Sequence, residues 1–183
     1  MNSQQQYKII FTGPPGAGKT TAIEALSDIP PIKTEEVASD TTRLRKEKIT
    51  VAMDYGLIKL ADGEKVHLYG TPGQERFDFM WDILTEGGLG LIMLIDNNRR
   101  NSLDDIEFFL DKFHSFVDDQ RIVIGITQMD VKPEPTLAEY YARLETMKLK
   151  YEPPVFEIDA RNKRDVFLLL QILLVSIDPL LKF

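Results

Sequence analysis

The sequence predicts an α/β domain built on a mostly parallel sheet. Short apolar runs rich in β-branched residues alternate with segments of helical period, and a glycine-rich loop stands between the first run and the first helix. At 183 residues, 43% of them hydrophobic, the chain suits one compact domain over residues 1–183 with a sizeable core.

Each element has its own signal. Residues 7–11 read as a buried strand entering the loop, and residues 19–26 as the helix that leaves it, with Pro30 and Pro31 stopping the helical pattern. Residues 49–60 and 65–69 are β-rich and flank Ala61-Asp62-Gly63-Glu64, a hairpin turn by its Asp-Gly pair, which adds one antiparallel edge. A strand over 89–95, a helix over 102–117, a strand over 121–126, a helix over 137–148 and a strand over 155–158 follow. In the closing helix, residues 166–175 are apolar except for Gln171, a run too short to span a bilayer, which needs about 20 residues. It reads as a core helix, with a partner contact as the alternative. Residues 34–48 are charged and Thr-rich without a period, the pattern of a mobile surface loop.

Composition excludes several functions. A net charge of −7 argues against a surface that neutralises many phosphates, so nucleic acid is not an expected partner. The absence of cysteine excludes disulfides, thiolate metal sites, prenylation and palmitoylation. Residues 1–6 are polar and the second residue is Asn2, so neither a signal peptide nor myristoylation is expected. A cytoplasmic protein with no direct membrane anchor is the expectation.

The chemistry begins at Gly13-Pro14-Pro15-Gly16-Ala17-Gly18-Lys19-Thr20, which fits G-x-x-x-x-G-K-S/T. Glycines at 13, 16 and 18 let backbone N–H groups approach phosphate oxygens, and Lys19 brings a compact positive charge to the β- and γ-phosphates. Thr20 offers a hydroxyl to Mg²⁺, and the helix N-terminus, with Thr21 in its first turn, favours the same anion. This motif leaves ATP and GTP, kinase and hydrolase, all open.

Gly70-Thr71-Pro72-Gly73-Gln74-Glu75-Arg76-Phe77 follows a strand, and here the sequence resembles the Ras/Rab-like small GTPases, whose switch II reads D-T-x-G-Q-E. The resemblance covers most of the chain. It implies a P-loop NTPase G domain: a six-stranded, mostly parallel sheet with one antiparallel edge strand and helices on both faces. It also implies that Gly73 contacts the γ-phosphate through its N–H and that Gln74, the catalytic residue with Lys19, orients the attacking water. The family's metal-associated Asp is replaced by Gly70. That departure, and the run over 69–81, resemble a prokaryotic branch near the gliding-motility polarity switch GTPases, in which roadblock-type proteins act as partners. Asp40, Asp54 and Asp96 are replacement carboxylates that the sequence cannot place, and loop or capping roles are their ordinary reading. Thr50-Val51-Ala52-Met53-Asp54-Tyr55 resembles the T-I-G-V-D-F stretch of Rab-like proteins, making Thr50 the second candidate metal ligand beside Thr20, with Thr41 and Thr42 as rivals.

Thr127-Gln128-Met129-Asp130 resembles the family's base-reading motif N/T-K/Q-x-D. The Asp130 carboxylate can accept from both N1–H and the exocyclic amine of guanine, which adenine cannot donate in that pattern. Asp159-Ala160-Arg161 resembles the S-A-K motif, in which the Ala160 N–H would meet the guanine carbonyl. Arg43 and Arg45 are candidates for an arginine on the developing charge, or solvated loop charges. Phe77, Phe79 and Trp81 read either as core packing of the helix after the motif or as an exposed partner surface, and a partner surface is expected for at least one of them. The resemblance thus implies a Mg²⁺-dependent GTP hydrolase with slow turnover unless a partner assists. The alternatives are a nucleotide-binding scaffold that does not hydrolyse and, further off, a small-molecule kinase.

Overall fold

The structure, a computed structural model, describes residues 6–30, 32–33, 53–60, 63–74 and 77–177. Strand β1 (Gln6–Thr12) runs into the glycine loop and helix α1 (Lys19–Leu26), with β2 (Ile32–Lys33) beyond. Strands β3 (Asp54–Lys59) and β4 (Lys65–Gly70) form the hairpin, followed by α2 (Asp78–Thr85) and β5 (Gly90–Asp96). Helices α3 (Ser102–Lys112) and α4 (His114–Asp118), strand β6 (Ile122–Thr127), helix α5 (Leu137–Met147), strand β7 (Val155–Glu157) and helix α6 (Lys163–Ile177) complete the order.

The strands lie in the order β2-β3-β4-β1-β5-β6-β7. From β4 to β7 every pairing is parallel, while β3 joins β4, and β2 joins β3, antiparallel. The six principal strands are those expected; the two-residue β2 extends the antiparallel edge. The hairpin closes where the Asp-Gly pair predicts, with Gly63 at φ +89° and Leu60 N–H donating to the Glu64 carbonyl at 2.9 Å.

Burial explains why these segments are strands. β5 is buried at all seven positions, and its side chains alternate between two cores. Ile92 and Leu94 join Ile9, Phe11, Ile23 and the α6 residues Leu169 and Leu173 on one face. Leu91, Met93 and Ile95 join Ile10, Trp81, Phe109 and Tyr140 on the other. Helix α6 docks through Val166, Leu169, Leu170, Leu173 and Leu174, so it is the core helix expected, although Leu168 and Val175 face outward. Among the described residues no helix is long and apolar enough to cross a membrane.

One helix expected over 102–117 is two. At Phe113 the backbone turns to φ −106°, and Phe116 N–H bonds the Phe113 carbonyl three residues back. The offset lets Phe113 and Phe116 both reach the core, where Phe113 stacks 6.3 Å from Phe109. Burying two more aromatic rings outweighs one regular turn.

Parallel strands place their C-terminal ends on one edge of the sheet. Because β1 is flanked by β4 on one side and β5 on the other, the connections leave in opposite directions there, and such a switch point opens a crevice.

Candidate functional site

The loop after β1 wraps the N-terminus of α1. Gly13, at φ +132°, is pressed so closely on β5 that a Cβ would fall 1.9 Å from the Leu94 carbonyl oxygen, and no other residue fits. Gly18 caps α1 at φ +91° with no side-chain bond, and no acidic residue sits in the first turn. By contrast α5 closes its N-terminus reciprocally, with Thr136 and Glu139 in a capping box. The first-turn N–H groups of α1 are therefore left for an anion, with Thr21 beside them.

Lys19 spans this loop, its Nζ donating to the carbonyls of Gly13 (2.7 Å) and Pro14 (2.8 Å). Burial pulls its pKa down to about 8, against the attraction of Asp54. An ammonium so desolvated is poised for a polyanion. The segment after β4 lies across it: a Cβ on Gly73 would stand 2.7 Å from Lys19 Nζ and 2.7 Å from Pro15 N. Only glycine lets this backbone pass so near the lysine. Gln74, next in the chain, is exposed. Two bonds fix the segment, Thr71 N–H to the Phe11 carbonyl (2.8 Å) and the Trp81 indole N–H to the Pro72 carbonyl (2.8 Å). Trp81 is core, packed on Phe109 and Phe113, whereas Phe79 is half exposed.

The loops after β6 and β7 complete the crevice. Gly16, Gly18, Thr21, Thr127, Gln128, Asp130 and Ala160 line one cavity of about 240 Å³. The buried Thr127 hydroxyl shares its one proton between the carbonyls of Ala17 (3.2 Å) and Ile95 (3.2 Å). Gln128 takes φ +60°, turning the chain so that Asp130 is exposed at the cavity, with no hydrogen bond among the described residues. Arg161 holds Asp159 (2.8 Å), and this pairing keeps the Asp159 carboxyl below its usual range. Of the expected residues, Thr50 lies outside the described ones, with Thr41, Thr42, Arg43, Arg45 and Asp40.

One contact escaped the sequence, and one candidate carboxylate that the sequence could not place now has a position. Asn97 accepts from the buried Tyr140 hydroxyl (2.8 Å) and donates to the Lys132 carbonyl (2.6 Å), tying the loop after β6 to α5. Asp54 is neither loop nor cap: it begins β3, and its Oδ2 accepts from the Thr20 hydroxyl at 2.5 Å. Hairpin register was the available signal, since Asp54 and Gly70 are equally distant in sequence from position 62 and pair directly.

Residues 30–176 match the family described as "Conserved hypothetical ATP binding protein". The chain belongs to that family. The match begins beyond the glycine loop, so the loop's reading stands on its own residues. The chain is also similar to the uncharacterised protein MJ1339 of Methanocaldococcus jannaschii, 30% identical over 57% of this chain and 60% of that one. It therefore spans about three-fifths of that relative's length. The Ras-related protein Rab-8B of Homo sapiens is 24% identical over 87% of this chain and 72% of its own. In fold, the G domain of the FeoB iron transporter of T. maritima covers 94% of this family member and 97% of its own chain at a TM-score of 0.58, with 18% identity. The architecture is that of a P-loop GTPase G domain.

Proposed function

We propose that this protein is a small guanine-nucleotide switch that binds GTP and GDP with Mg²⁺ and hydrolyses GTP to GDP and phosphate. The observation that carries the reading is the single cavity where the phosphate-loop residues Gly16, Gly18 and Thr21 meet Thr127, Gln128, Asp130 and Ala160. A buried lysine, open helix N–H groups and one exposed carboxylate are the complement of a polyphosphate joined to a base that donates two hydrogens. The resemblance to Ras-related proteins favours the same assignment, and guanine rather than the adenine of the family's description follows from Asp130.

In this mechanism water attacks the γ-phosphorus in line, its oxygen–phosphorus bond forming as the bond to the β-γ bridging oxygen breaks. Gln74 aligns the water, while the Lys19 ammonium and the backbone N–H groups of Gly16 to Thr20 and of Gly73 hold the phosphate oxygens. Bound Mg²⁺, with Thr20 and Thr50 as its expected protein ligands, would neutralise phosphate charge. Unaided turnover is slow, on the order of 10⁻⁴ to 10⁻² s⁻¹. Phe79 and Ile83, four residues apart and both exposed on α2, favour a partner that reads the segment after Gly73. A cytoplasmic protein of the prokaryotic polarity-switch branch, with a roadblock-type partner, is the finer reading.

Fluorescent GDP and ADP titrations test it. Selective GDP binding is expected; equal or stronger ADP binding would return the protein to an unspecified P-loop NTPase. Single-turnover GTP hydrolysis by wild type and Gln74→Leu then separates enzyme from scaffold, equal retention of GTP by both overturning the hydrolase.

A further inference from the structure

In the resemblance to Ras/Rab-like proteins, the residue before Thr71 is an acidic partner of the metal, and here it is Gly70, which brings no oxygen. The sheet places one beside it. Asp54 and Gly70 are direct partners in the antiparallel β3–β4 ladder. A Cβ built on Gly70 would stand 3.1 Å from the Asp54 Cβ and 3.3 Å from its Oδ2. The Asp54 carboxylate thus fills the space into which a side chain at position 70 would grow. From there it reaches the Thr20 hydroxyl at 2.5 Å, and its charge is felt at Lys19.

We propose that Asp54 is the acidic group of the divalent-cation site, its carboxylate having moved to the strand facing Gly70. This rests on the nucleotide-binding reading above. A hydroxyl has one proton and two lone pairs. With the Thr20 proton committed to Asp54, the lone pairs are free for a cation and cannot turn away. The donor set suits Mg²⁺, which binds through one or two carboxylates, waters and substrate phosphates, not an all-protein cage. The exchange also explains why Gly70 is small: an aspartate there, facing Asp54, would crowd it and set two like charges side by side.

The experiment is the release rate of fluorescent GDP from the full chain, in excess Mg²⁺ and in chelator. It compares wild type, Asp54→Asn, Asp54→Ala and the exchange variant Asp54→Gly/Gly70→Asp, with folding checked by circular dichroism. Wild type is expected to release GDP much more slowly with Mg²⁺. Both single substitutions should lose about 10- to 100-fold of that magnesium effect while release in chelator stays near wild type. The exchange variant, which returns a carboxylate to the site from the other strand, should recover it. A magnesium effect undiminished in Asp54→Asn and Asp54→Ala overturns the proposal. So does loss without recovery in the exchange variant, which would make Asp54 only a support for Thr20. Wild type that binds GDP indifferently to Mg²⁺ overturns it while leaving the nucleotide reading intact. Wild type that binds no guanine nucleotide in either buffer removes both.

Discussion

The Thr127 hydroxyl donates to the Ala17 carbonyl across 110 positions of sequence, so the loop that would read the base and the loop that would hold the phosphates share a hydrogen bond. Valine has the same shape without the hydroxyl. Thr127→Val should leave the Ala17 carbonyl unpaired, cost about 1 kcal/mol of stability and weaken GDP binding about tenfold. Thermal unfolding and a GDP titration check both effects; unchanged affinity would mean the two loops are set independently.

Asp130 offers its carboxylate to the cavity with no hydrogen bond among the described residues. Asp130→Asn replaces one acceptor oxygen with a donor, which suits the second ring carbonyl of xanthine in place of the guanine amine. Guanine affinity should fall roughly 100-fold, from two charge-assisted bonds, and xanthosine diphosphate should become the better ligand. Competition between the two nucleotides provides the measurement.

The layout of the site was legible where a motif fixes the backbone. Gly13 and Gly18 could be read as positions where a side chain would block the chain, because the phosphate-loop pattern puts glycine there, and both take positive φ. Helix α5 could be read from its own ends, since Thr136 and Glu139 are local signals. What stayed hidden depends on neighbours distant in sequence. Asp54 becomes meaningful only once β3 is registered against β4, and Asn97 only when Tyr140 and Lys132 arrive from elsewhere. The break at Phe113 is of the same kind: the helical period runs through it, and the Trp81–Phe109 cluster overrides it.

Lys19 is costly to bury, and its lowered pKa of about 8 records that cost. Lys19→Ala should therefore fold with a Tm within a few degrees of wild type, yet lose at least about 100-fold in nucleotide affinity. Paired unfolding and binding measurements decide; intact affinity would remove Lys19 from the site.

Tyr140 gives the fold an alkaline limit. Burial pushes its hydroxyl up to about 12 from the ordinary 10.0, so the folded protein keeps a proton that the unfolded chain releases first. Its stabilising contribution is complete below about pH 10 and disappears as pH rises to about 12. Tyr140→Phe should cost about 1–3 kcal/mol near neutral pH, leaving the Asn97 oxygen unpaired, and should flatten this dependence. Denaturant titrations at pH 8 and at pH 11 would show a smaller difference in the variant.

The chain has one tryptophan, and its indole N–H is bonded to the carbonyl of Pro72, the residue before Gly73. Indole emission responds to whether that N–H is paired and to how dry the ring is. The molecule therefore carries an unlabelled optical gauge on the strand-to-helix turn. Any ligand that pulls Gly73 away from Lys19 would be read as a change in the colour and intensity of one residue's light.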